Sequence, residues 1–189
     1  MRVIAVIVGA AGTIAMALGV FAPCDPERPG IRLADHVVAM DPPADQGDGS
    51  LTNGTTLTPF DVRNPAIGRL QPALLTAIQD AATAAAADGV TMTITSGWRS
   101  PEFQQRLLDD AVKTYGSVAA ARQYVQTPQM SKHVIGEAVD VGGVGADKWL
   151  IANGARFGLC RIYANEVWHF ELATDASGNC PPLLPNAAG

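Results

Sequence analysis

Ser131-Lys132-His133-Val134-Ile135-Gly136-Glu137-Ala138-Val139-Asp140 places a histidine before a glycine turn and then runs into an alternating segment that ends on a carboxylate. A second cluster, Glu166-Val167-Trp168-His169-Phe170-Glu171, again joins imidazole to carboxylate with strand-like alternation. In a strand, neighbouring side chains point to opposite faces, so Val139 and Val141 share one face and Asp140 takes the other. By the same rule Trp168, Phe170 and Leu172 are expected to face the core, with His169 and Glu171 opposite. If the two segments pair, Asp140 and His169 meet on one surface and His133 reaches them from the loop that turns at Gly136. Glu166 stands three residues before His169, which in a regular strand is the wrong face. A shared site therefore demands a bend around Asn165 to Val167.

Imidazole and carboxylate are the ligands that zinc takes when one coordination position stays open to water. Two of the three histidines, an aspartate and a spare glutamate stand in these two clusters. Taken singly, a histidine beside a carboxylate is more often a structural hydrogen bond, and two satisfied core histidines are the bland alternative. The pair of polar-faced strand contexts favours a site. No His-Glu-x-x-His helix occurs, which excludes the common helical zinc-protease arrangement.

Working outward, Val90 to Thr95 alternates and is β-branched, so a strand is expected. Ser96-Gly97-Trp98-Arg99-Ser100-Pro101-Glu102 follows, with Ser100 and Pro101 suited to N-cap and first turn of a helix to about Thr114. Phe103, Leu107, Leu108 and Ala111 mark its buried stripe. Upstream, Pro72 opens a helix with Leu74, Leu75, Ile78, Ala81, Ala82 and Ala85 at helical spacing, stopped by Asp88-Gly89. A short helix near Val118 to Val125, another from Asp147 to Gly154, and strands at Arg161 to Tyr163 and Val167 to Leu172 complete the reading. With no repeated βαβ unit the expected class is α+β: a small antiparallel sheet with helices packed mainly on one side.

The chain has 189 residues, 48% of them apolar and 16% charged, enough for one packed domain. A net charge of -5 without a Lys/Arg block argues against a nucleic-acid partner. Arg2 followed by the uncharged run Val3 to Ala22 reads as an export signal over residues 1–22, with a retained membrane anchor as the alternative. Residues 23–68, rich in Pro, Gly and Asp, read as a flexible tether, and the folded domain is expected over 69–185. His36 beside Asp35 reads as solvated. In an oxidising compartment Cys160 and Cys180, which flank the second cluster, are expected to form a disulfide. Cys24 is left over, with lipid modification as a minority reading.

Ser-x-His-x-x-Gly-x-Ala-x-Asp (Ser131 to Asp140), then Glu-x-x-His (Glu166 to His169), resembles the zinc D-alanyl-D-alanine carboxypeptidases, in particular the VanY-like branch of the LAS peptidases. Ser96-Gly97-Trp98-Arg99-Ser100 is similar to that family's Ser-Gly-Tyr-Arg-Ser, with Trp for Tyr. The resemblance runs from about Leu70 to Leu172. It implies a LAS-type fold and one zinc per chain on His133, Asp140 and His169. It implies Glu166 as catalytic base, Arg99 on the scissile carbonyl oxygen, and Ser131, Gln104 and Tyr163 along the substrate. Glu171 is read either as orienting His169 or as solvent-facing, and Trp98 and Trp168 as packing.

The expectation is thus an exported, monomeric zinc peptidase trimming the D-alanyl-D-alanine end of peptidoglycan stem peptides, touching a membrane only through an uncleaved N-terminal segment. Alternatives are an L,D-carboxypeptidase, an endopeptidase or dipeptidase, and a non-catalytic zinc or wall-binding module on the same fold.

Overall fold

The computed structural model describes residues 47–52 and 54–189. The leader, Cys24, His36 and most of the tether read from composition lie outside the described residues. Among those described, no helix is long and apolar enough to cross a membrane.

Helix α1 (Pro65–Gly68) begins at Asn64, whose side chain accepts from Ala66 N. Helix α2 (Pro72–Ala87) starts on Pro72 and buries Leu74, Ile78, Ala81, Ala82 and Ala85 of the predicted stripe, with Ala77 buried in addition and Leu75 only half-buried. Strand β1 (Thr93–Ser96) begins later than Val90, because its ladder with β2 (Ala138–Gly142) starts with Thr93 opposite Gly142, the last residue of that strand. Helix α3 (Pro101–Tyr115) is capped by Ser100, whose hydroxyl accepts from Phe103 N, and ends at Gly116 in the left-handed region. Its buried residues are Gln104, Leu108 and Ala111, so Phe103 and Leu107 are only half-buried. Helix α4 is a single turn (Val118–Ala121), shorter than expected. Helix α5 (Ala146–Asn153) runs into a 3-10 turn (Gly154–Phe157), then strands β3 (Leu159–Arg161) and β4 (His169–Leu172).

The strands form one antiparallel sheet in the order β1-β2-β4-β3. One face carries Ile94, Val139, Val141 and Phe170 against Leu74 and Ile78 of α2 and Trp149 and Leu150 of α5. Fully burying a side chain such as Phe170 or Ile94 contributes about 1.5–3 kcal/mol, so this face holds the fold together. α3 and α4 pack in a separate small cluster of Leu108, Ala111 and Ala121. The α+β class and the one-sided helices are as the patterning suggests.

Two strand expectations need correction. Trp168 and Leu172 are 44% and 41% exposed and are not core. Trp168 lies in a turn before β4, and Leu172 pairs only with Leu159, because β2 begins at Ala138 opposite Glu171. The third strand covers Leu159–Arg161 instead of Arg161 to Tyr163. Beyond Arg161 the chain leaves β4, and Ile162 O accepts from Leu184 N instead.

Residues 54–68, inside the expected tether, lie against the sheet. Leu57 exchanges backbone hydrogen bonds with Ile94 (3.0 and 2.7 Å), and Ala66 and Ile67 are fully buried. A Pro- and Thr-rich stretch reads the same whether it swings free or is pinned by such contacts.

Gly136 has φ +72°, and a Cβ there meets Arg69 O at 2.5 Å. Gly136→Ala is therefore expected to cost toward the upper end of about 1–3 kcal/mol in urea denaturation. An unchanged midpoint refutes this.

Candidate metal centre

On the sheet face away from the core, Asp140 of β2 and His169 of β4 are direct cross-strand partners. Such partners share a face at close range, so the strand pairing alone brings carboxylate and imidazole together. His169 Nδ1 lies 3.2 Å from Asp140 Oδ1, and His133 Nε2, coming from the Gly136 loop, lies 3.4 Å from the same oxygen. These three donor atoms lie within 4.8 Å of one another, and all three residues are buried. Ligands bonded at roughly 2.0–2.1 Å around a tetrahedral zinc stand about 3.3 Å apart. The two imidazole–carboxylate spacings match, and two imidazoles with one carboxylate are a donor set that zinc accepts. The triad is able to hold a metal ion.

Groups behind the triad orient it. His133 Nδ1 donates to Gly97 O at 2.7 Å. A carbonyl only accepts, so that nitrogen carries the hydrogen and leaves Nε2 free to ligate. Glu171 Oε1 accepts from His169 Nε2 at 2.9 Å, which leaves Nδ1 for the ion. Of the two readings of Glu171, the orienting one is therefore correct. Removing it in Glu171→Ala is expected to weaken zinc binding about 10–100-fold in a chelator competition. An unaltered affinity would show that His169 is held by packing alone.

Arg99 Nη2 donates to Asp140 Oδ2 at 2.9 Å, its Nε to Ser96 Oγ at 2.8 Å, and its Nη1 to Gln104 Oε1 at 3.1 Å. A bulge in β1 makes the first of these possible. Ile94 pairs with Val141 but Ser96 with Asp140, so one extra residue turns the strand end toward the site.

Charge follows burial. Burial pushes the Asp140 carboxyl up, but His133, His169 and Arg99 together hold it well below the usual carboxylate range. Burial lowers His133, and Arg99 adds to that. Burial also opposes charge on His169, yet its hydrogen bonds to Asp140 and Glu171 outweigh this and lift it to about 9 in the metal-free protein. Tyr163 is raised to about 12, chiefly by burial, and stays a neutral phenol.

Glu166 lies in the irregular segment that precedes β4, as a shared site requires. His169 N donates to Glu166 O across that turn, and Glu166 Oε2 stands 3.9 Å from His169 Nδ1. Its Oε1 is buried with no hydrogen-bond partner. Burial raises the group to about 7, against the pull of His169 and Arg99. A buried, partnerless carboxylate oxygen beside three converging donor atoms is suited to exchanging protons with a molecule in the cleft.

A cleft of about 220 Å³ opens over the triad, lined by Arg99, Gln104, Ser131, Tyr163 and Glu166 among others. Ser131 is buried there, and the Tyr163 ring lies 5.0 Å from that of His169. Gln104 is committed at both ends of its amide, accepting from Arg99 and donating to Gln126 O at 2.8 Å. It holds the arginine in place. Sequence reasoning missed the Gly97 carbonyl, which no side chain betrays. It also read Trp168, which lines this cleft, as packing. Trp98 does pack, donating to Val134 O and lying under Arg69. Cys160 and Cys180 are joined.

Residues 68–174 match the family model described as VanY, D-alanyl-D-alanine carboxypeptidase. A D-alanyl-D-alanine carboxypeptidase of Enterococcus faecalis is 34% identical over 118 residues, 49% of this chain and 44% of that protein. The chain thus spans less than half the length of that curated relative. Among solved structures, a mutant of the vancomycin-resistance D,D-pentapeptidase VanY from a VanB-type cassette, in complex with Zn(II), has a TM-score of 0.51 at 32% identity. That match covers 54% of this chain and 71% of that one. VanYB in complex with D-alanine-D-alanine gives 0.51 at 31% identity, covering 54% and 70%.

Proposed function

The chain belongs to the VanY D-alanyl-D-alanine carboxypeptidase family, and from that premise we propose that it is a zinc peptidase removing the terminal D-alanine of peptidoglycan stem peptides. The observation that carries the reading is the convergence of His133 Nε2, Asp140 Oδ1 and His169 Nδ1 beside the partnerless Oε1 of Glu166. Those three atoms would hold the ion, one per chain. When bound, zinc supplies Lewis acidity to a water molecule and to the peptide carbonyl at the open position.

The protein's own groups do the rest. Glu166 takes the proton from water and hands it to the departing amine, a role for which a carboxylate raised toward neutrality is suited. Arg99 is held by Ser96, Gln104 and Asp140, and its remaining N–H groups face developing charge on the carbonyl oxygen. Ser131 and the Tyr163 phenol line the cleft as hydrogen-bonding groups for the peptide. The apolar leader and this substrate together imply an exported protein working outside the cytoplasm, where Cys160 and Cys180 stay oxidised.

The test is mass spectrometry of defined pentapeptide muropeptides after incubation with the zinc-loaded protein. Loss of a single D-alanine is expected. Release of a dipeptide, an internal cut, or no cleavage at all would overturn the reading.

A further inference from the structure

Residues 175–189 lie beyond the stretch that the family model matches and belong to no helix or strand of the sheet. They are exposed along their length, except that Asn186 is half-buried and Ala187 is buried. Core packing therefore does not account for their course. The segment is instead tied down link by link. Cys180 is bonded to Cys160. Leu184 N donates to Ile162 O at 2.9 Å, and Ala164 N to Leu184 O at 2.8 Å. Ala187 N donates to Gln123 O at 3.4 Å, and the Gln126 side chain donates to Ala187 O.

These ties bring Ala187 into the wall of the cleft above the triad. A continuous line of hydrogen bonds leads there from the metal-binding carboxylate. Asp140 accepts from Arg99, Arg99 donates to Gln104, Gln104 to Gln126 O, and Gln126 to Ala187. Arg122 adds a second guanidinium behind the same wall, donating to Gln126 Oε1 at 3.4 Å. A peptide presents a free α-carboxylate only at its C-terminus, and the positive charge of Arg122 behind this wall favours an anion at this end of the cleft.

We propose that residues 180–189 are a strap closing the carboxyl-terminal end of the substrate cleft, with Ala187 as the specificity-determining residue that leaves room for one residue beyond the scissile bond. This deepens the proposed function and rests on it. The strap supplies a wall that an exopeptidase needs and an endopeptidase must lack.

Three zinc-loaded proteins test it: the full chain, the chain ending at Pro182, which keeps the disulfide, and Ala187→Trp. The probes are acetyl-L-lysyl-D-alanyl-D-alanine, the same peptide with one further D-alanine at its carboxyl end, and one extended at its amino end. Binding is read by calorimetry with Glu166→Gln added to each protein, and cleavage by mass spectrometry without it. The full chain is expected to prefer the shorter peptide over the carboxyl-extended one by about 10-fold or more, a wall contact of ordinary size. Shortening the chain should bring that ratio to about one, and Ala187→Trp should weaken binding of both. An unchanged ratio overturns the proposal, as does a gain confined to the amino-extended peptide. Should the shortened chain fail to fold by circular dichroism, Ala187→Trp decides, and unaltered binding overturns the proposal. Length discrimination in binding without cleavage of any peptide would sink the functional reading and leave the strap standing.

Discussion

A Glu166→Gln protein is expected to keep its zinc and to lose peptide hydrolysis by on the order of 10²–10⁴-fold. Glu166 is not one of the three converging donors, and its Oε2 stands 3.9 Å from His169 Nδ1, so its loss should remove proton transfer and leave the ion. Metal analysis alongside steady-state kinetics checks both halves. If the metal departs with the carboxylate, Glu166 is a ligand and its role as base falls. A base works only when deprotonated, so the rate must drop as pH falls through its pKa. Burial holds Glu166 at about 7 in the metal-free protein, and a bound cation favours the charged carboxylate and pulls that value down. The acidic limb of kcat/KM is thus expected between its ordinary 4.5 and about 7, and absent from the residual activity of Glu166→Gln. A limb that persists in the variant belongs to another group.

Asp140→Asn is expected to abolish stoichiometric zinc binding and to destabilise the metal-free protein by about 3–5 kcal/mol. The second effect arises because Asp140 Oδ2 is the carboxylate partner of Arg99, a half-buried guanidinium whose other hydrogen bonds go to the neutral Ser96 and Gln104, and because Asp140 Oδ1 is a partner of the charged His169. Breaking a buried pair strands the surviving charge, which costs more than the pair itself contributed. Replacing both partners with apolar residues, in Asp140→Leu/Arg99→Met, should therefore regain the part of the stability that Arg99 accounts for and none of the metal. Urea denaturation and zinc content after dialysis separate the two effects. Equal loss of stability in the single and double variants would mean that Asp140 stabilises the fold by some route other than Arg99.

Both predictions turn on residues legible in the chain. Alternation put Asp140 and His169 on the polar faces of two strands, and the strands pair with those residues directly opposite. The same rule required a break before His169 if Glu166 was to join, and the break is there. Where the rule failed, at Trp168 and Leu172, it failed because alternation says which side a residue faces and not whether a neighbouring element covers it. Gln104 was legible as a site residue, but its amide faces inward at both ends, which only a folded surrounding reveals.

Sequence by itself determined the α+β class, most of the stripe of α2, the N-cap of α3 and the donor chemistry of His133, Asp140 and His169. These rest on local periodicity and on the identity of side chains, which a chain carries whether folded or not. Tertiary structure alone decided that Gly97 O orients His133, that residues 54–68 lie on the sheet and that Ala187 enters the cleft. Each is a contact between segments far apart or a contact of backbone atoms, and neither leaves a pattern along a sequence.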